Sequence, residues 1–172
     1  MKFLEKDLEQ IIFESGRDSL EKRGLSITGK LFRQLRIGGY GIADLVEFNR
    51  PSYDGPNREF FVPGVITVYE LKKEQIGIAS FLQALHYVKG IQNYLKLKNK
   101  NHKYVLKVVL VGRQVDTSGS FCFISDMLSI NNECDGYVWV DNGTISFVTY
   151  DYNVDGLYFE THLGYDLNNN GF

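Results

Sequence analysis

Apolar and polar positions alternate with two periods along this chain, and each period marks a class of element. Near the start, Leu4, Leu8, Ile11 and Ile12 recur at helical spacing and predict an amphipathic helix over 2–15 that stops at Gly16. Residues 17–30 are mixed and suit a short helix or loop closed by Gly29. The period then shortens. LFRQLRIGG (31–39) sets Leu31, Arg33, Leu35 and Ile37 against Phe32, Gln34 and Arg36, the alternation of a strand. Gly38-Gly39 turns the chain, and GIADLVEF (41–48) returns as the second strand of a hairpin.

Residues 49–64 hold all three prolines and predict a long exposed loop. VITVYEL (65–71), rich in β-branched residues, is a third strand. The longest helical pattern covers 75–98, with Ile78, Leu82, Leu85, Val88 and Leu95 as its expected buried stripe. YVLKVVLVG (104–112) is nearly continuous in apolar character, as expected of a central strand covered on both faces. The unit 65–112 therefore reads as a crossover between parallel strands. Further on, 135–141 and 144–152 flank Asn142-Gly143 and predict a hairpin, with one more strand at 156–162. Together these elements predict a single α/β domain over 1–172, with a mixed central sheet flanked by helices and a C-terminal β-hairpin.

Composition changes little in this picture; charge placement changes more. No run reaches the roughly 18–20 apolar residues of a membrane span, and MKFLEKDLEQ lacks the form of a signal peptide. Cys122 and Cys134 have no metal-type partners at useful spacing, so reduced thiols and a cytoplasmic location are expected. The net charge is −2, but residues 75–115 contain no acid, whereas 116–172 contain no Lys or Arg. This asymmetry suits a polyanionic partner on one face. Lys96, Lys98 and Lys100 are the expected phosphate contacts, with Lys73 and with Gln34 and Arg36, which alternation puts on one strand face opposite Arg33.

The candidate chemistry gathers at the end of the third strand. Alternation places Glu70 and Lys72 on one face and Leu71 on the other. The preceding strand carries Asp44 between apolar neighbours. Two carboxylates, with the Leu71 carbonyl, would offer a hard cation such as Mg²⁺ (or Mn²⁺) its oxygen ligands. Lys72 would stand beside the water that such an ion activates. On the next helix Gln83 and Tyr87 are one turn apart and share a face. On the first helix Glu9, or Glu5 one turn earlier, is placed to lean toward the same site.

In order, these residues resemble the motifs of the PD-(D/E)xK nuclease superfamily, most closely its RecB-like branch. An acid on the first helix is Glu9 or Glu5; Gly-x-x-Asp is Gly41 to Asp44; Glu-x-Lys is Glu70 to Lys72; Gln-x-x-x-Tyr is Gln83 to Tyr87. The resemblance covers roughly residues 3–112. It implies a restriction-endonuclease-like fold and a Mg²⁺-dependent deoxyribonuclease. Asp44 and Glu70 would hold metal with Glu9 as an outer carboxylate, Lys72 would serve the water, and Gln83 and Tyr87 would line the site. The implied partner is DNA, and a homodimer would suit a double-strand cut. The alternative expectation is a non-catalytic nucleic-acid-binding or protein-interaction module on the same fold.

Overall fold

The first helical stripe folds as expected because its apolar residues have a sheet to cover. In the computed structural model, which describes residues 4–116, 118, 121 and 145–163, helix α1 spans Glu5–Glu14. Leu8 and Ile12 are fully buried on its inner face. The Asp7 carboxylate accepts the Leu4 N–H at 2.8 Å and satisfies one of the orphan donors of the first turn. A second short helix, α2 (Arg17–Lys22), follows Gly16.

The strands come next in chain order: β1 (Lys30–Arg36), β2 (Ile42–Asn49), β3 (Ser52–Asp54), β4 (Phe60–Val62), β5 (Gly64–Leu71) and β6 (Gln75–Ile76). Helix α3 (Ile78–Leu97) precedes β7 (Tyr104–Gly112), β8 (Gln114–Val115), β9 (Ile145–Asn153) and β10 (Gly156–Leu163). Six of these strands form the central mixed sheet, in the order β1-β2-β5-β7-β9-β10. β1, β2 and β5 run antiparallel in succession. β5 and β7 are parallel, from Gly64 opposite Tyr104 to Leu71 opposite Val111, as the crossover pattern predicts. β7 and β9 are parallel, and β9 and β10 close the sheet as an antiparallel hairpin.

Both faces of β5 are covered, which is why its apolar run is almost unbroken. One core layer joins Leu8 and Ile12 of α1 to Leu45, Tyr69, Leu71 and Val111. The other joins Tyr87, Ile91 and Leu95 of α3 to Val46, Ile66 and Val68. No helix among the described residues is long and apolar enough to cross a membrane.

Three sequence expectations are corrected. Helix α3 begins at Ile78, because Gln75-Ile76 pair as β6 with β8. Its buried side is also rotated. Phe81, Ala84, Tyr87, Ile91 and Leu95 face inward, while Leu82 and Leu85 are 57% and 36% exposed. Two apolar stripes compete on this helix, and close approach decides between them. A Cβ at Gly90 would lie 2.7 Å from both Ile37 and Tyr40, so the face with Gly90 and Ala84 seats deepest. Next, the stretch expected to be a loop at 49–64 contains the β3–β4 ribbon, whose residues are all exposed. Among the described residues, β9 has β10 as its antiparallel neighbour and β7 as its parallel one. The 135–141 segment, expected to pair with it, lies outside the described residues.

Candidate active site

The site forms where β2 parts from β5. Their ladder starts at Leu45 opposite Tyr69, so the next position, Asp44 beside Glu70, has no backbone pairing. The Asp44 side chain replaces that missing acceptor: its Oδ2 takes the Leu71 N–H at 2.9 Å. The β1–β2 ladder skips the same row, at Gln34, which adopts φ +50°. A left-handed conformation is unusual for glutamine and bends the side-chain pattern of the strand. Arg33 and Gln34 consequently both hydrogen-bond the Glu9 carboxylate, one to each oxygen. Regular alternation would have sent them to opposite faces, so this corrects the expectation that Arg33 points away from Gln34.

On β5 alternation holds. Lys72 Nζ donates to Glu70 Oε1 at 2.6 Å, while Leu71 turns into the core beneath α1. Lys72 also reaches Gln83 Oε1 at 3.5 Å, and Gln83 Nε2 donates to the Tyr87 hydroxyl at 2.8 Å. Tyr87 in turn packs against Gly41, where an added Cβ would meet its ring at 3.1 Å. Gly41 itself has φ +111°, a conformation that favours glycine. The Gly-x-x-Asp and Gln-x-x-x-Tyr residues, 42 positions apart at Gly41 and Gln83, are thus joined through Tyr87.

Glu70 is 1% exposed, and its Oε2 has no hydrogen-bond partner among the described residues. Burial pushes its carboxyl up to about 7, with the Asp44 charge adding to the rise and the Lys72 hydrogen bond opposing it. Asp44 is also raised, by burial first, against the lowering effect of the Leu71 N–H. For Lys72, burial lowers the ammonium, but the hydrogen bond and charge of Glu70 outweigh it and the net shift is upward. Glu70 rising and Lys72 rising describe one pair with unequal burial. The carboxylate loses more solvation than a single partner restores, whereas the quarter-exposed lysine keeps most of its own.

An open cleft of ≈ 840 Å³ lies beside this cluster, lined among others by Glu5, Glu9, Gln34, Asp44 and Lys73. Glu5 accepts the Lys73 N–H at 3.2 Å, and the Lys73 ammonium pairs with Glu74 at 3.3 Å. Glu9 therefore borders the cleft with Asp44, already clamped by two side chains.

Other expected contacts are not brought together. Along α3, at about 1.5 Å per residue, Lys96 stands roughly 20 Å from Gln83, and Lys98 and Lys100 lie beyond it at the far end of the sheet. Arg36 lines a separate apolar groove with Ile37, Tyr40 and Leu95.

Sequence reasoning passed over Glu47, the second acid of β2, which is 4% exposed. Its Oε1 accepts the N–H groups of Thr28 and Gly29 at 2.8 and 2.6 Å and Asn49 Nδ2 at 3.0 Å. Its Oε2 accepts the Tyr69 hydroxyl at 2.7 Å. Burial raises this carboxyl, but the hydrogen bonds together hold it below its ordinary range. A polar residue on the inward phase of an otherwise apolar strand was the available signal.

Among the described residues, no three His, Cys, Asp or Glu side chains converge as a ready metal cage. Asp44 and Glu70 are the carboxylates that could offer oxygens to a hard cation, and Glu70 Oε2 has no hydrogen-bond partner among the described residues. No protein-family model, curated protein or solved structure matches the chain.

Proposed function

We propose that this protein is a divalent-metal-dependent nuclease of the PD-(D/E)xK superfamily, with a restriction-endonuclease-like fold, that hydrolyses DNA phosphodiester bonds. One observation carries the reading: a carboxylate oxygen of Glu70 is buried without a partner beside Asp44 and Lys72. Leaving such an atom unsatisfied costs about 1–3 kcal/mol or more, and a hard cation is a partner whose chemistry suits a carboxylate oxygen there. The motif residues also fall on α1, on the second and third strands of the antiparallel part of the sheet, and on α3, in the order of the resemblance.

Asp44 and Glu70 would hold Mg²⁺, with Mn²⁺ able to replace it. When bound, the ion would acidify a water and offset charge on the phosphate. The remaining work belongs to the chain. Lys72 orients the attacking water and faces the charge developing on phosphorus. Gln83, tied to Tyr87, keeps the lysine from folding away. The Leu71 N–H fixes Asp44 so that its second oxygen is directed by the backbone rather than by a flexible neighbour. Glu9, fixed by Arg33 and Gln34, adds negative charge at the cleft rim.

Isothermal titration with Mg²⁺ and Mn²⁺, run alongside plasmid and oligonucleotide cleavage, tests this. Asp44→Asn should abolish both the heat of binding and cleavage. A wild-type protein that neither binds metal nor cleaves any DNA form would overturn the reading.

One feature favours the alternative of a non-catalytic binding or interaction module. Asp44, Glu9 and one oxygen of Glu70 already have protein partners. A Lys72→Ala variant separates the two, since a nuclease loses cleavage and keeps DNA binding, whereas a module has no cleavage to lose.

A further inference from the structure

The β3–β4 ribbon stands outside the central sheet and pairs with itself, through Ser52–Val62, Tyr53–Phe61 and Asp54–Phe60. Isolated two-stranded ribbons are marginal in water, yet this one displays apolar side chains on both faces. Phe60 and Tyr53 are 64% and 62% exposed, and Phe61 and Val62 are exposed with them. Such a concentration of rings marks a binding surface.

The surrounding charge indicates what binds. Arg50 is at the root of the ribbon, and Arg58 is in its tip at φ +55°. Lys30 begins β1 opposite Phe48, one residue from the root. Lys100 and Lys103 lead into Tyr104, which pairs with Gly64 at the other root strand. The acids of the ribbon are Asp54, whose carboxylate is turned back onto the Gly55 N–H at 2.7 Å, and Glu59. Cations therefore dominate around the exposed rings.

We infer that the β3–β4 ribbon is an arm for unpaired nucleic-acid strands, with bases stacked on Tyr53, Phe60 and Phe61 and phosphates against Arg50, Arg58 and Lys30. Aromatic platforms beside cations are the usual means of holding single strands without reading sequence. The choice of ligand class rests on the nuclease reading; the arm's action does not involve cleavage. β5 separates Gly64 from Leu71 by about 23 Å at ~3.3 Å per residue. At most about seven nucleotides span that distance, at the ~3.4 Å rise of a duplex strand, and fewer when the unpaired strand is extended. The arm thus governs affinity for long strands.

The test is fluorescence anisotropy in EDTA with oligo-dT of about thirty nucleotides, long against the ~4–16-nucleotide sites typical of stacking surfaces. Wild type should bind, more weakly as salt rises. The double variant Phe60→Ala/Phe61→Ala should bind about tenfold more weakly or worse, with unchanged circular dichroism. Val154→Ala, an exposed apolar control at the β9–β10 turn, should bind as wild type. Equal binding by the double variant overturns the inference, as does wild-type failure to bind oligo-dT or an equal loss on a duplex of the same length. A wild-type dimer that the double variant dissociates without loss of oligo-dT binding also overturns it, in favour of contact between copies. Arm-dependent binding in a protein that never cleaves DNA would sustain the arm and remove the nuclease.

Discussion

Two buried glutamates on adjacent strands of one sheet have opposite fates. Glu47 on β2 meets five donors, and its carboxyl is held below its ordinary range. Among the described residues, Glu70 on β5 meets Lys72 alone and keeps one oxygen unpartnered, and it is pushed up to about 7. Burial is the same within a few per cent. Hydrogen-bond satisfaction differs, and it separates a carboxylate that fastens the fold from one with an oxygen left without a partner among the described residues. Glu47 ties the Thr28-Gly29 loop to the sheet; Glu70 ties down nothing except the lysine beside it.

The sharpest break between the two should be in activity. Glu70→Ala is expected to lower Mg²⁺-dependent DNA cleavage by about 10²–10⁴-fold while the protein still folds. Single-turnover cleavage rates per folded molecule check this. If Glu47→Ala lowers that rate as far, the contrast fails.

Stability should show the reverse ordering. Glu47→Ala strands several buried donors and should cost about 3–5 kcal/mol. For a chain of this size, that is a fall in Tm of about 10 °C or more. Differential scanning calorimetry decides it, and a fall of only a degree or two would show that these five hydrogen bonds contribute little.

The two acids should also give opposite pH slopes. Glu70 is raised from 4.5 to about 7, so its stabilising contribution is complete below pH 4.5 and is lost as pH rises through 7. The loss is at most about 3 kcal/mol. Glu47 is lowered from 4.5, so its contribution is present above that pH and is lost as pH falls below it. Comparing urea denaturation of wild type and Glu70→Gln between pH 5 and 8, without divalent ions, isolates the first slope. Parallel curves would remove the claim of a destabilised Glu70. Saturating Mg²⁺ at about 100 times its Kd should restore roughly 2.7 kcal/mol to wild type, and none to the variant.

The smallest expected effect is at the edge of the site. Gly41→Ala forces a side chain onto φ +111° and toward the Tyr87 ring. It should cost about 1–2 kcal/mol in thermal denaturation. It should also loosen Gln83, visible as a several-fold fall in cleavage; unchanged cleavage would detach the Gly41–Tyr87 contact from the site.

Much of the local architecture was legible because it depends on local period. The apolar runs 65–71 and 104–112, with a helix between them, became β5, α3 and β7 with the expected parallel pairing. The face shared by Glu70 and Lys72 followed from alternation alone and appears as their ion pair. Where period was ambiguous, reading failed. α3 offered two apolar stripes, and only the fit of Gly90 against Ile37 and Tyr40 selected one. At Gln34 a left-handed residue overrode alternation. The ribbon at 52–62 was hidden by Gly55-Pro56 and by the flanking Pro51 and Pro63, which read as loop.

What the chain determined by itself was therefore the order of elements and the side of β5 on which its acid and lysine stand, since neighbours a few residues apart obey the geometry of their own strand or helix. The tertiary structure decided which acid is satisfied. Glu47 finds Thr28, Gly29 and Tyr69, and Asp44 finds the Leu71 N–H, only after distant segments meet. It also decided that Lys96, Lys98 and Lys100 lie at the far end of the sheet from Glu70. Hydrogen-bond partners and distances between elements depend on non-local packing, which local periodicity does not encode.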